Sequence, residues 1–384
     1  MKFILASIQM NSDPKGKEAS VKKACKLIKE AANKGAKVIV LPEVFNIPYS
    51  EFVGEPNDNK FLLAESIPGP TTDEIAILSK KCKIYVIVPL FEKTSENEYY
   101  DTSVLIGPKG NIVGAYRKTT IPGYPDVSCN WLNTNNKIVG ESLERIYFKP
   151  GNDYPVFDTE YGKLGMLICW DRHFPENWRQ LSTAGADVIM VPSAVPRNDL
   201  DTIEFVTRTR AFENSLYAVM SCRPNIEDGL EYTGSSMIVD PYGKVVNSAG
   251  VNEETIVLGE IDLDEVKKQR IKYPILKDIE ALNSKLSKIK SVKRILNDQL
   301  EHLKMERDVI EHRIRSQQNE ITKVETDLNK SRGFVSNKKQ ITDQLNDLKH
   351  KTDQLNALKH QGKLLEGELE AIHDELETTE KKIK

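Results

Sequence analysis

Residues 164–178 read LGMLICWDRHFPENW, an apolar run that passes directly into a polar turn and then into a helix. The run predicts a buried strand, and a side chain at its end is exposed beside the backbone N–H groups of the turn. Runs at 38–41 and 84–88 are also apolar throughout, as expected for strands covered on both faces of a sheet. Helical patterns lie between such runs, at 20–34, 72–82, 175–184 and 203–214. The sequence therefore predicts a layered α/β domain.

Two segments add antiparallel pairs to that sheet. They are SVLIGPKGNIVGAYR at 103–117 and SMIVDPYGKVVNSAG at 236–250. Each places a proline and a glycine between two apolar runs, a pattern typical of hairpins. We therefore expect mixed rather than purely parallel sheets.

Composition excludes several classes of function. The 384-residue chain has a formal net charge of -3, so no global basic field favours binding to nucleic acid or to an anionic membrane. The apolar stretch at 1–10 is too short for a secretory signal, and the five cysteines are scattered and odd in number, which predicts a reduced, cytoplasmic protein. Of six histidines, five lie beyond residue 300, leaving His173 alone in the α/β part. A catalytic nucleophile there would need a base other than histidine, and a zinc site with several histidine ligands is excluded.

The chain changes character after Pro274, its last proline. Apolar residues then recur in two seven-residue series that include Leu286, Leu300, Ile314, Leu282, Ile289, Leu296, Leu303 and Ile310. A further series includes Leu355, Leu369, Leu376, Leu365 and Ile372. Sustained heptads predict a coiled coil over 278–384, and a break near 331–334 favours an antiparallel helical hairpin. One continuous helix forming a parallel dimer is the alternative.

Three residues carry candidate chemistry. Cys169 ends the run LGMLIC, and Glu43 follows the buried run VIVLP. Lys118 lies where a predicted hairpin strand ends, and an ammonium near a thiol favours the thiolate and stabilises an oxyanion. A carboxylate can take the thiol proton. The alternatives are a structural cysteine, a capping glutamate and a solvated basic pair of Lys118 with Arg117.

The segments around these residues resemble the nitrilase superfamily. LPEVF surrounds Glu43, YRKTTIP surrounds Lys118 and GMLICWDRHFPE surrounds Cys169, while RTRAFEN at 208–214 and GSSMIVDPYGKVV at 234–246 resemble two further segments. The resemblance covers about 1–265. It implies a four-layer αββα sandwich in a hydrolase domain at 1–275.

The resemblance also implies a mechanism. Glu43 would be the general base, Cys169 the nucleophile that forms an acyl-enzyme, and Lys118 an oxyanion donor with the backbone N–H of Trp170. Ammonia or an amine departs, and water completes the hydrolysis. No metal or organic cofactor is required.

The segment between Lys118 and Cys169 suggests a branch of that superfamily. GESLERIYFKPGN at 140–152 resembles N-carbamoyl amino acid amidohydrolases, which places a second glutamate at Glu144, where it would orient Lys118 or the leaving amine. By the same resemblance Arg172 would hold a substrate carboxylate, and a resemblance to β-ureidopropionases places His173 near the substrate. Thr120 departs from the histidine of those carbamoylases, and the stretch 124–141 matches no known segment.

The predicted function is therefore cysteine-dependent hydrolysis of a linear amide or an N-carbamoyl compound with release of ammonia. An N-carbamoyl amino acid is the first choice of substrate, and N-carbamoylputrescine, a simple aliphatic amide and a nitrile are alternatives. A function of another class is a coiled-coil scaffold with the hydrolase domain as an oligomeric node. We expect a homo-oligomer, with a protein partner at the coiled coil as a further expectation.

Overall fold

A computed structural model describes residues 1–124, 128–331 and 338–383. The chain divides into two compact units, Met1–Asp278 and Ile279–Lys384. The predicted turn near 331–334 lies almost wholly outside the described residues. Among the helices described, none combines the length and the apolar character needed to cross a membrane.

Among its described residues, the first unit contains sixteen strands, labelled in chain order. They are β1 (Lys2–Gln9), β2 (Ala36–Val40), β3 (Tyr85–Lys93), β4 (Tyr99–Ile106), β5 (Ile112–Arg117), β6 (Asn130–Leu132), β7 (Ile138–Glu141), β8 (Val156–Thr159), β9 (Gly162–Met166), β10 (Val188–Ser193), β11 (Tyr217–Cys222), β12 (Ile226–Glu227), β13 (Leu230–Glu231), β14 (Met237–Val239), β15 (Val245–Ser248) and β16 (Thr255–Asp262). The helices are α1 (Lys17–Asn33), α2 (Pro70–Cys82), α3 (Glu144–Tyr147), α4 (Pro175–Thr183), α5 (Leu200–Asn214), α6 (Leu263–Lys272), α7 (Ile275–Ser331) and α8 (Lys338–Ile383).

Two six-stranded sheets form the centre of this unit. Their strand orders are β16-β1-β2-β3-β4-β5 and β15-β14-β11-β10-β9-β8. Strands β1, β2 and β3 are parallel, as are β9, β10 and β11, whereas the outer pairs are antiparallel. The predicted mixture of parallel strands and hairpins is therefore confirmed.

Alternating side chains bury both faces of the sheets. In β1, Leu5 faces a core that includes Met166 and Val219 of the second sheet, whereas Ile8 faces a core that includes Ile28 of α1. Successive strand residues point to opposite faces, so a strand covered on both sides is apolar throughout. Helices α1 and α2 cover the first sheet, and α4 and α5 pack against the second. The predicted αββα sandwich is confirmed.

The second unit consists of long helical segments. Leu296 and Leu300 of α7 form a buried cluster with Leu376 of α8, and Gln317 donates a 2.8 Å hydrogen bond to Gln354. The residues in contact have rising numbers along α7 and falling numbers along α8, as in an antiparallel pair of helices. The clustered leucines belong to the predicted heptad series. A coiled coil, and the domain limits at 275 and 278, stay predictions.

Candidate active site

The three candidate residues lie where strands end. Glu43 follows β2, Lys118 follows β5, and Cys169 follows β9. The Lys118 backbone N–H continues the β4–β5 ladder, donating to the carbonyl of Asp101 at 2.9 Å. Side chains that leave the ends of adjacent strands share one edge of a sheet, and here the two sheets bring their ends to one cavity.

Cys169 stands at a sharp turn, with a positive backbone φ of 42°. Non-glycine residues adopt this conformation at a cost, and it is frequent at nucleophiles that follow a strand. The Asp171 carboxylate accepts the Ile168 N–H at 3.0 Å, which fixes the start of the 3₁₀ turn Cys169–His173. The Cys169 side chain is 5% exposed and lines a cavity of about 260 Å³. The thiol is thus buried from bulk water but open to this cavity.

Residues of the hairpin β6–β7 and of segments that connect the other elements line the cavity. They are Tyr49, Pro122, Cys129, Asn130, Trp131, Leu132, Ser142, Glu144, Cys169, Trp170, Arg172, His173, Ala194, Pro196, Asn198 and Asp199.

Ala194 connects the thiol to Glu43. The Cys169 S–H donates to the Ala194 carbonyl at 3.3 Å, while the Ala194 N–H donates to Glu43 Oε2 at 2.7 Å. The two side chains therefore bind the two polar groups of one buried residue. A carboxylate so placed can exchange a proton with the sulfur.

Lys118 lies among acidic side chains and is fully buried. Its Nζ donates to Glu43 Oε1 at 2.8 Å and to Glu144 Oε2 at 2.5 Å, and it lies 3.6 Å from Asp101 Oδ2. The interpretation of Lys118 and Arg117 as a solvated basic pair is wrong for Lys118, because its ammonium is sealed among these groups. The absence of a histidine at Thr120 does not prevent the Lys118–Glu144 contact.

Burial and nearby charges shift the pKa of the Cys169 thiol in opposite directions, and burial has the largest effect. Burial and the Glu43 carboxylate raise the pKa of Cys169 well above its usual value, although Lys118 and Arg172 oppose them. Lys118 lowers the pKa of Cys169, as expected for a group that favours the thiolate, but burial and Glu43 raise it by more. Burial would lower the pKa of Lys118, yet Glu144 and Glu43 raise it well above the ordinary value, so the ammonium is charged.

One group of carboxylates has the spacing of a metal site. Oxygens of Glu43, Asp101 and Glu144 lie within 4.8 Å of one another. The Lys118 ammonium already lies among them and neutralises part of their charge. These three carboxylates therefore fit an ammonium better than a divalent cation. The expectation that the enzyme requires no metal stays a prediction.

The predicted substrate-binding residues line the same cavity. Arg172 is almost fully buried, and it donates from Nη1 to the Cys169 carbonyl at 3.1 Å and from Nη2 to Asp199 Oδ2 at 3.3 Å. The rings of His173 and Trp170 pack edge to face, with their centroids 4.6 Å apart. Burial, with Arg172 and Arg210 nearby, lowers the pKa of His173 to about 4, so its ring is neutral near pH 7.

Sequence reasoning missed several residues of the site. Asp101 adjoins Lys118, the Tyr49 hydroxyl donates to Glu144, and the hairpin β6–β7 places Trp131 in the cavity wall. An aspartate inside the strand YYDTSVLI was a usable signal, because a charged residue in a buried strand needs a partner. The stretch 124–141 gave no such signal.

A buried arginine holds the segment that carries Glu43. Arg223 Nη2 donates to the carbonyls of Glu43, Val44 and Ile47 at 3.1, 2.6 and 2.8 Å, and its Nη1 binds Glu227. Val44 has a φ of 44°, so the chain turns sharply directly after Glu43. The guanidinium satisfies carbonyls that no strand can bond, and in this way it fixes the direction of the Glu43 side chain.

Comparison with known proteins identifies the family of the chain. The family described as carbon-nitrogen hydrolase matches residues 4–271. "Omega-amidase NIT2-B" of Xenopus laevis is 33% identical over 278 residues, which cover 71% of this chain and 94% of that protein. A "Nitrilase" of Pyrococcus abyssi is 33% identical over 272 residues, which cover 70% of this chain and 92% of that protein. A crystal structure of a carbon-nitrogen hydrolase from Helicobacter pylori superposes with a TM-score of 0.63 at 25% identity, covering 72% of this chain and 94% of that one.

These relatives are named for amide and nitrile chemistry, and the N-carbamoyl branch gains no support from them. The predicted resemblance to the nitrilase superfamily is confirmed. The chain belongs to the carbon-nitrogen hydrolase family of the nitrilase superfamily and is an amidohydrolase with an active-site cysteine.

Proposed function

We propose that the chain hydrolyses small linear primary amides that carry a carboxylate, releasing ammonia through a thioester at Cys169. The observation that carries the proposal is a buried thiol facing a cavity of about 260 Å³, with the Lys118 ammonium and the two carboxylates that it binds behind it. The cavity volume suits a substrate of a few carbon atoms.

Acylation begins when Glu43 takes the Sγ proton and the sulfur attacks the amide carbon. A C–S bond forms, the carbonyl electron pair moves to oxygen, and the oxyanion binds Lys118 and the Trp170 N–H. The oxyanion then collapses, the C–N bond breaks, and the leaving nitrogen takes the proton from Glu43 as ammonia departs. Glu144 keeps Lys118 charged and oriented throughout.

Deacylation repeats these steps with water. Glu43 takes a proton from water, whose oxygen attacks the thioester carbon to give a second oxyanion. Its collapse breaks the C–S bond, and the sulfur recovers the proton from Glu43. The balance is one amide and one water converted to one carboxylic acid and one ammonia.

Arg172 supports a substrate that bears a carboxylate. Among the described residues that line the cavity, it carries the positive charge, and its planar fork suits a carboxylate. Its partner Asp199 is partly exposed, so a substrate carboxylate can compete for the guanidinium. The relatives named omega-amidase favour an amide over an N-carbamoyl group. His173, neutral and beside Trp170, would donate or accept a hydrogen bond to the substrate.

The test is ammonia release from a panel of compounds. The panel contains short amides with and without a distal carboxylate, N-carbamoyl amino acids, N-carbamoylputrescine and aliphatic nitriles. We expect the amides with a carboxylate to have the highest kcat/KM, and Cys169→Ala to abolish turnover of every compound. Preference for the cationic or the N-carbamoyl compounds would overturn the substrate assignment. Ammonia release by Cys169→Ala would overturn the mechanism.

A further inference from the structure

Asp101 is a buried acid that the mechanism above does not use. It lies on β4, its side chain is fully buried, and Lys118 continues the backbone ladder beside it. Its Oδ2 is 3.6 Å from Lys118 Nζ, beyond the length of a good hydrogen bond. Neither oxygen of Asp101 accepts a hydrogen bond from a donor among the described residues.

The two neighbouring glutamates differ from Asp101 in this respect. Glu43 accepts from Lys118 and from the Ala194 N–H, and Glu144 accepts from Lys118 and from the Tyr49 hydroxyl. Each of these carboxylates has two donors, as a buried anion requires. Asp101 has none, so of the three acids its ionised form is the least stabilised.

The total charge of the cluster also disfavours the ionised form of Asp101. Three ionised carboxylates around one ammonium would leave two uncompensated negative charges in a sealed site. Acids that share such a site cannot all ionise, and one retains a proton. Oxygens of Asp101 and Glu43 belong to one cluster within 4.8 Å, and a hydrogen bond between the two side chains is among the causes that raise the pKa of Asp101.

We propose that Asp101 is a neutral carboxylic acid that donates its O–H to Glu43, and that it is a positioning residue for Lys118. With Asp101 neutral, two of the three Lys118 N–H groups bind Glu43 and Glu144, and the third is free for the oxyanion. An ionised Asp101 would compete with the oxyanion for that third N–H. Burial, followed by the charge of Glu43, raises the pKa of Asp101 well above its usual value, with Lys118 opposing and Glu144 adding to the rise.

Infrared spectroscopy tests the proton directly on the full chain without substrate. A protonated carboxyl gives a C=O stretching band that an ionised carboxylate lacks. We expect such a band near pH 7, shifted in wild-type protein labelled with carbon-13 at the aspartate carboxyl and removed in Asp101→Asn. Asp158→Asn is the control, because the Asp158 side chain is 83% exposed and lies outside this buried cluster. An unshifted band, or its survival in Asp101→Asn, overturns the proposal.

A kinetic measurement tests the positioning role, and this arm alone rests on the proposed function. Asparagine can donate an N–H to Glu43, but more weakly than a carboxylic acid does. We expect kcat of Asp101→Asn to fall about fivefold, a fraction of one hydrogen bond's effect, with KM unchanged. A loss as complete as that of Cys169→Ala would mean that the charge of Asp101 is needed, and an unchanged kcat would exclude a positioning role. If no amide is turned over, the infrared measurement still tests the protonation of Asp101, because it requires no substrate.

Discussion

Replacing Glu144 with glutamine removes one of the two charges that hold the Lys118 ammonium. The glutamine has the same shape, so its oxygen can still accept from Lys118 and its amide can meet the Tyr49 hydroxyl. What is lost is the charge assistance of the 2.5 Å contact, and a hydrogen bond to a charged group contributes about 1.5–3 kcal/mol. We therefore expect the free energy of unfolding to fall by about 2 kcal/mol, which lowers Tm by about 4–8 °C in a domain of this size.

The same loss affects catalysis. A Lys118 that is less well oriented stabilises the oxyanion less, and about 2 kcal/mol in the transition state lowers kcat roughly 30-fold. Glu144 is the largest of the charges that raise the pKa of Lys118, so its removal lowers that pKa. Lys118 then loses its proton at a lower pH, and the alkaline fall of kcat/KM moves towards neutral pH.

The measurements are thermal unfolding and ammonia release across a pH series. Glu141→Gln is the matched control, because Glu141 lies three residues earlier and its pairing with Arg145 is partly exposed. Partly exposed pairs contribute little, so this variant is expected to keep the Tm and kcat of the parent. If Glu144→Gln cannot be distinguished from Glu141→Gln in either assay, the reasoning from the buried contact is refuted.

Three further changes test other parts of the molecule. Arg223→Met leaves the Glu227 carboxylate buried without its partner, so we expect denaturant unfolding to show a loss of about 3–5 kcal/mol; a loss below about 1 kcal/mol would contradict this. Asp199→Asn frees Arg172, so KM should fall about two- to fivefold for amides with a carboxylate and stay constant for neutral amides; equal changes for both would count against Arg172 as the anchor. Removal of 279–384 should leave kcat/KM within about twofold, because every described residue that lines the cavity precedes that range. Light scattering then reports whether the oligomeric state depends on 279–384.

The sequence predicts the sandwich because buried strands leave a strong pattern. The runs at 38–41 and 84–88 are apolar throughout, because helices cover one face of the sheet and the second sheet covers the other face. An ionisable residue directly after such a run, as at Glu43, is expensive unless it has partners, so its position carries information about the site. The strand end at Cys169 is informative for the same reason.

Other parts of the site depend on pairing that a single sequence does not contain. Asp101 meets Lys118 through the register of β4 and β5, in which Thr102 pairs with Arg117. A shift of one residue would turn these side chains to the other face of the sheet. Trp131 reaches the cavity because the hairpin β6–β7 folds back over it, whereas the Asn-rich stretch around it has the composition of a surface loop.

A buried neutral thiol poses the question of how its proton leaves only when substrate is present. Glu43 has one oxygen bound to Lys118 and the other to the Ala194 N–H, so a proton that reaches Glu43 removes its charge and weakens both hydrogen bonds. In the proposed mechanism, protonation of Glu43 therefore loosens Lys118 at the moment when the oxyanion forms, so that the ammonium can direct its third N–H to the oxyanion. Without a carbonyl in the cavity that N–H has no new acceptor, and the thiolate would stand in a site whose burial already disfavours its charge. The contacts that make the resting thiol unreactive are thus the same contacts that make proton transfer favourable once an amide is bound.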